Sequence, residues 1–273
     1  MMNDEPRGDD APASGPGSAG APGAASVPEG LVNAVVHLVD TGPVLLGAYT
    51  IAELTAVDAV VDFLEARPSD EVLAEAVRSL AARQLLLPGA SPEQVQVRGD
   101  LGIAVAFQQR ARMVLDARVA GTEPGEPWRI LVLPQPEQIC LVVRIDALGV
   151  HEIALRKQEE TLHMLTDWLP HGQAAREKTL ADEDALLAGS ERSALVTLTE
   201  YTAVGSAETA VKSTDLILAV RDGRLHALTR IRPADGGGGG GGGAGDGDGA
   251  LEPVTVDGSD GVRNRLRELI STA

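Results

Sequence analysis

The feature that most constrains the fold is a strand-and-helix pattern that occurs twice after residue 112. Each copy has three strand-like segments, a short fourth strand and an amphipathic helix, and the copies span residues 113–170 and 194–271. The copies share the order of their elements and not the identity of their residues. We therefore predict an α+β fold with a central antiparallel sheet, helical bundles and two quasi-equivalent β-β-β-β-α halves.

The periodicity of apolar residues gives bounds for both copies. The predicted elements of the first copy are strands over 113–120, 128–133, 139–145 and 150–155 and a helix over 158–169. Those of the second copy are strands over 194–203, 216–220, 225–231 and 252–256 and a helix over 260–270. Asp222-Gly223 predicts a type I′ turn between two of these strands. We expect the two halves to share one apolar interior, with helices on one side of the sheet.

Helix signals dominate the residues before the first copy. Residues 31–46 are apolar and fit a helix or a pair of strands, and both alternatives stay open. Thr50 and Glu53 form the pattern of a capping box, and Ser69 is a second candidate N-cap. Further helices are predicted over 52–65, 70–84, 101–110 and 173–187.

Composition separates a tail and a loop from the folded part of the chain. Residues 1–28 are rich in Gly, Pro, Ala and Ser and are predicted to be disordered. Residues 29–273 are predicted to form a single α+β domain with an N-terminal half (29–172) and a C-terminal half (173–273). The glycine-rich stretch 234–250 is predicted to be a disordered loop within the second half.

The net charge of −17 argues against two classes of partner. Such a field repels the phosphates of nucleic acids and anionic lipid headgroups. Arg263, Arg265 and Arg267 form the densest basic group, but they alternate with apolar and acidic residues and fit the solvated face of a helix. The sequence also lacks an apolar run of membrane-spanning length and a signal peptide. We therefore expect a cytoplasmic protein that binds neither nucleic acid nor membrane.

A search for reactive groups identifies no catalytic, cofactor-binding or metal-binding residues, and the chain is predicted not to be an enzyme. The single cysteine, Cys140, lies in an apolar strand-like run and fits inert packing better than a nucleophile. The five histidines do not pair with other ligands at metal-site spacing: His37, His151, His163, His171 and His226. The glycine run lacks the Gly-Lys-Ser/Thr ending of a phosphate loop. Asp246 and Asp248 are too few for a calcium loop.

Two segments carry a resemblance to a known family. The first reads RILVLPQPEQICLVVRIDALGVHEIALRKQEETLHMLTDWLP, from Arg129 to Pro170. The second has the Gly223-Arg224 hairpin, then Pro253-Val-Thr-Val-Asp-Gly258 and a closing helix. In order and local character, residues 50–273 resemble the EspG family, the cytosolic secretion-associated chaperones of type VII (ESX) systems. The resemblance implies a chaperone or adaptor that binds a secreted helical-hairpin substrate of the PE/PPE kind and keeps it soluble.

The loop 121–128 is the candidate partner-binding site. It joins two predicted strands, and its candidate residues are Glu123, Pro124, Glu126 and Trp128. Tryptophan is enriched at the energetic centres of protein interfaces. The alternative is that Trp128 begins a strand and packs inward.

Two other functions compete with a chaperone. Residues 50–98 fit the order of elements in a winged helix, which makes an acidic transcriptional regulator the alternative prediction. Its second helix carries Asp70, Glu71 and Glu75 against Arg78 and Arg83, a charge balance that disfavours contact with phosphates. An unrecognised hydrolase or transferase is the third hypothesis, because active sites are often assembled from residues far apart in sequence.

Overall fold

The computed structural model of the chain describes residues 27–59, 68–89, 95–175, 183–204, 207–233 and 250–271. The helices are α1 (Glu29–Thr41), α2 (Ile51–Ala56), α3 (Asp70–Ala82), α4 (Gly99–Arg110), α5 (Gln158–Trp168), α6 (Glu183–Ala188) and α7 (Gly258–Ser271). The strands are β1 (Val44–Thr50), β2 (Leu86–Pro88), β3 (Val95–Val97), β4 (Met113–Ala120), β5 (Arg129–Pro134), β6 (Ile139–Ile145), β7 (Val150–Lys157), β8 (Arg192–Val204), β9 (Ala207–Arg221), β10 (Arg224–Pro233) and β11 (Glu252–Pro253). The predicted tail 1–28 and the predicted loop 234–250 lie almost entirely outside the described residues.

The two copies of the sequence pattern form a single antiparallel sheet. Its order is β1-β7-β6-β5-β4-β8-β9-β10-β11, nine strands within the described residues, while β2 and β3 form a separate hairpin. The first strands of the two copies, β4 and β8, pair with each other from Met113↔Glu200 to Ala120↔Ser193. Each copy then runs outward as a meander and ends in a helix, α5 or α7. The predicted α+β fold with two quasi-equivalent halves is confirmed.

Helices cover both faces of the sheet, so the prediction that they pack on one side is wrong. One face packs against α5 and α7 in a cluster that includes Ile130, Val132, Leu162 and Leu266. The neighbouring strand residues, such as Leu131, point to the opposite face and pack against α1 to α4. The physical reason is that β5 is buried at every position, and a strand apolar on both sides needs cover on both faces.

The start of α2 follows its sequence signal, but its end does not. The Thr50 hydroxyl accepts a hydrogen bond from the Glu53 N–H, and the Glu53 carboxylate accepts one from the Thr50 N–H at 2.9 Å, which confirms the capping box. The prediction of one helix over 52–65 is wrong, because α2 ends at Ala56. Asp58 has a φ of 57°, and this left-handed conformation terminates the helix. Residues 60–67 are outside the described part of the chain.

Three further predictions are corrected or decided. Residues 31–46 are neither one helix nor two strands: α1 ends at Thr41 and β1 begins at Val44. Residues 173–175 of the predicted helix 173–187 are not helical. The Leu225 N–H donates a hydrogen bond to the Gln173 carbonyl, and the Leu225 carbonyl accepts one from the Ala175 N–H.

The strand predicted over 216–220 belongs to β9, which starts at Ala207 and pairs with β8 along its length. Cross-strand hydrogen bonds, not an apolar run, sustain its first half.

Candidate functional site

The loop between β4 and β5 is held by its own hydrogen bonds. The Glu126 carboxylate accepts a hydrogen bond from the Glu123 N–H at 3.0 Å, and the Glu126 N–H donates to the Glu123 carbonyl at 3.1 Å. Gly121, at the start of the loop, has a φ of 78°, and a Cβ there would lie 2.8 Å from the Glu191 carbonyl oxygen. The structure thus brings two of the candidate residues together in one tight turn and requires glycine where the turn begins.

Arg192, at the start of β8, ties this loop to the body of the protein. Its guanidinium donates to the Glu126 carboxylate at 2.9 Å, to the Gly121 carbonyl at 3.3 Å and to the Trp168 carbonyl at 2.8 Å. The Trp168 indole N–H donates to the Pro127 carbonyl at 3.1 Å. The Glu123 N–H and the Arg192 guanidinium hold the pKa of Glu126 below its usual range. These contacts fix the loop before any partner arrives.

The loop presents an aromatic side chain at the surface. Trp128 is 38% exposed, so the alternative that it packs inward is wrong, although its N–H donates to the Ile145 carbonyl and its carbonyl accepts from the Val119 N–H one residue before β5 begins. The Arg129 guanidinium lies 5.9 Å from the centre of the Trp128 ring, within cation–π range. Glu123 and Pro124 are exposed, and Glu126 is half-buried. The loop therefore offers a rigid acidic rim beside a partly exposed indole.

A row of polar and charged residues on the sheet was missed by the sequence analysis. Asp116, Thr197, Asp215 and Arg230 lie side by side on β4, β8, β9 and β10, and directly opposed residues share one face of the sheet. Asp215 is fully buried. It accepts hydrogen bonds from Thr197 at 2.9 Å, from two atoms of Arg230 at 3.1 and 3.0 Å, and from Arg232 at 2.9 Å.

The second carboxylate in this row has a similar environment. Asp116 is buried and accepts two hydrogen bonds from Arg129, at 2.8 and 2.9 Å. It also accepts two from Arg118, at 3.1 and 2.9 Å. We call the surface formed by Asp116, Arg118, Arg129, Asp215, Arg230 and Arg232 the arginine face. A signal for it exists in the sequence: the Asp222-Gly223 turn fixes the hairpin register and so pairs Asp215 with Arg230.

A cavity of about 250 Å³ lies beside the arginine face, between the sheet and α6. Arg118 forms one wall and Leu187 of α6 another, with Leu195 and Ile217 among the apolar residues that complete the lining. This volume is below the roughly 300–1,000 Å³ typical of sites for drug-sized ligands.

Cys140 and His151 are buried within the sheet. Burial raises the pKa of the Cys140 thiol to about 12, so the reactive thiolate is scarce at neutral pH. Burial also lowers the pKa of His151, whose Nδ1 lies 2.9 Å from the Gly149 carbonyl oxygen. Within the described ranges, no group of three His, Cys, Asp or Glu residues is arranged to hold a metal ion.

The basic residues outside the arginine face that the sequence analysis considered are paired with carboxylates. On α7, Arg263, Arg265 and Arg267 contact Asp260, Glu268 and Glu159 respectively. In the candidate winged-helix segment, Arg78 contacts Glu75 at 2.7 Å and Arg83 contacts Glu53 at 2.9 Å. These pairs leave α3 acidic on its exposed side, which disfavours a role in reading DNA.

Comparison with known proteins places the chain in no family: no family model matches it, and no curated protein matches it. Among the described helices, none combines the length and apolar character needed to cross a membrane.

Proposed function

We propose that the protein is a non-catalytic cytoplasmic chaperone or adaptor that binds a secreted protein partner and keeps it soluble. The proposed partner is a helical hairpin of the PE/PPE kind, the class of substrate implied by the resemblance to EspG chaperones. The observation that carries the proposal is the loop 121–128, which holds Trp128 partly exposed on a fixed backbone.

Such a loop is well suited to protein recognition. Tryptophan is among the residue types most enriched at interface hot spots, and the Trp128 ring is held against the buried Arg129 guanidinium. Because the loop is already ordered by Arg192 and Trp168, a partner does not bear the entropic cost of fixing it. The exposed indole also supplies apolar area on a surface that is otherwise strongly acidic.

The charge pattern favours this function over the alternative of a transcriptional regulator. A winged helix needs several cations free to contact phosphate, whereas the arginines of the α3 segment are engaged by Glu75 and Glu53. Binding of duplex DNA at low salt, lost in Arg78→Gln and Arg83→Gln variants, would favour the regulator instead.

The test is affinity purification of the tagged full-length chain from its native host, followed by calorimetry with the purified partner. We expect a secreted helical-hairpin protein to co-purify. Trp128→Ala should raise the Kd by about tenfold or more, the loss expected on truncating a hot-spot residue.

The matched control is Leu148→Ala, which removes an apolar side chain that is 88% exposed on the turn between β6 and β7. We expect this variant to keep the wild-type Kd. Equal losses in both variants, or no enrichment of a secreted helical hairpin, would refute the proposal.

A further inference from the structure

We propose that Arg192, the first residue of β8, is the positioning residue of the proposed interaction site and makes this site depend on docking of the second half of the chain. The inference rests on the proposed function, since it concerns the same loop, 121–128. This loop belongs to the first half, whereas Arg192 belongs to the second. The site is therefore complete only where the two halves meet, at the end of the pairing of β4 with β8.

Arg192 connects three parts of the first half through one guanidinium. Its Nη1 atom donates to the Gly121 carbonyl at 3.3 Å and to the Glu126 carboxylate at 2.9 Å. Its Nη2 atom donates to the carbonyl of Trp168, the last residue of α5, at 2.8 Å. A cation is favourably placed at this end of a helix, because the last carbonyls have no intrahelical partner.

The first connection from Arg192 to the exposed indole acts through the turn in the loop. The Oε2 atom of Glu126 accepts one hydrogen bond from Arg192 and another from the Glu123 N–H at 3.0 Å. A hydrogen bond between two charged groups is roughly twice as strong as one between neutral groups. The side chains of Arg192 and Glu126 are 23% and 31% exposed, so solvent screens their attraction only in part.

The second connection acts through α5. The Trp168 carbonyl accepts from Arg192, and the Trp168 indole N–H donates to the Pro127 carbonyl at 3.1 Å. Pro127 directly precedes Trp128, and its ring fixes the backbone φ just before the exposed indole. Arg192 and Trp168 together thus determine where the backbone of Trp128 lies relative to the body of the protein.

The backbone beside Arg192 also fits closely against the start of the loop. A Cβ atom at Gly121 would lie 2.8 Å from the Glu191 carbonyl oxygen and 3.4 Å from the Arg192 Cα. Because this backbone belongs to the second half, the loop takes its shape only against a docked β8. A chain whose second half has not folded presents Trp128 on an unfixed loop and binds more weakly, since the partner must then order the loop.

The first measurement is hydrogen exchange of the full chain, followed by NMR in the absence of a partner. In Arg192→Gln, exchange at the Glu123 and Glu126 amides should be about tenfold faster, because the turn loses a charge-assisted hydrogen bond. Arg192→Lys should restore only part of the protection, since one ammonium group cannot reproduce the fork that reaches both Glu126 and Trp168. An unchanged circular dichroism spectrum verifies that each variant is folded.

The second measurement is calorimetry with the secreted helical hairpin that co-purifies with the chain. Arg192→Gln should raise the Kd about tenfold in the wild-type background and much less in Trp128→Ala, because a residue that acts through Trp128 then has little left to position. The control, Arg265→Gln, removes a guanidinium of similar exposure, 29%, from an ion pair with Glu268 on α7. It should leave the exchange rates and the Kd unchanged.

Wild-type exchange rates at the two loop amides in Arg192→Gln would overturn the inference, as would an unchanged Kd. Equal increases in Kd with and without Trp128 would also overturn it, because Arg192 would then act at another surface. If Arg192→Gln does not fold, the same comparisons apply to Glu126→Gln, which removes the charge from the loop side of the pair. If no secreted hairpin co-purifies, the proposed function alone is refuted, and the exchange rates decide whether Arg192 orders the loop.

Discussion

Replacing Asp215 with Asn should destabilise the protein by about 3 kcal/mol, at the lower end of the range for breaking a buried ion pair. The side chain is fully buried and accepts four hydrogen bonds, three of them from guanidiniums. Hydrogen bonds to charged groups contribute about 1.5–3 kcal/mol each. Asparagine keeps one carbonyl acceptor for Thr197 and Arg232, but its amide group would place donors against the donors of Arg230.

Urea unfolding followed by circular dichroism measures this loss, with the free energy taken by linear extrapolation. The control is Asp222→Asn, at a residue whose side chain is 93% exposed and lies 3.7 Å from Arg221. An exposed pair of this kind contributes about 0–1 kcal/mol, and Asn tolerates the left-handed φ of 51° at this turn position. The reasoning is refuted if the two variants differ by less than about 1 kcal/mol, because the carboxylate of Asp215 would then contribute no more than an exposed one.

Three further measurements test other parts of the structure. Burial alone would raise the pKa of Glu53, but hydrogen bonds from Thr50 and Ser79 and the charge of Arg83 hold it below its usual range. Wild type should therefore be more stable than Glu53→Gln by its full margin above about pH 4.3, the usual pKa of a glutamate. This margin should shrink as the pH falls through the lowered pKa of Glu53, as measured by urea unfolding at a series of pH values. A margin that does not change with pH would contradict this expectation. Leu162→Ala in α5 and Leu266→Ala in α7 should each lower the free energy of unfolding by about 2–5 kcal/mol. Each variant should still unfold in one cooperative transition, because both fully buried side chains lie in the same apolar cluster. Two separate transitions would mean that the halves unfold independently. Cys140 should resist a thiol reagent at pH 8 until urea unfolds the chain, since its pKa is about 12, and prompt modification of the folded protein would show that it is accessible.

Local signals predicted many elements closely. The strands β4 and β6 begin and end at the predicted residues, 113–120 and 139–145, because the apolar period changes from helical to strand-like at Met113, Gly121 follows β4, and turns flank β6. The predicted type I′ turn is present, with φ values of 51° at Asp222 and 68° at Gly223. The capping box at Thr50 predicted the start of α2 for the same reason: each signal lies within a few residues of the element it controls.

Features that depend on backbone conformation or on contacts between distant residues were harder to predict from the sequence. The end of α2 depends on the backbone of Asp58, and apolar periodicity carries no information about that conformation. The pairing of β4 with β8 joins segments separated by residues 121–191, so its register is set by tertiary packing. The carboxylates of the arginine face were overlooked because Asp116 appears as one acidic residue within a predicted strand and Asp215 precedes the predicted strand 216–220. Their meaning emerges only when the cross-strand neighbours are known.

The seam between β4 and β8 has a consequence for how this protein emerges from the ribosome. The N-terminal half is synthesised first, and the edge of β4 then lacks its partner until β8 and the strands beyond it appear. From the end of α5 to the end of α7 is roughly a hundred residues, or about 5–20 s of synthesis at ~5–20 residues/s. During that interval a nascent chain exposes both an unpaired strand edge and the apolar surface that α7 later covers. We therefore expect the speed of translation across the second half to affect the yield of folded protein.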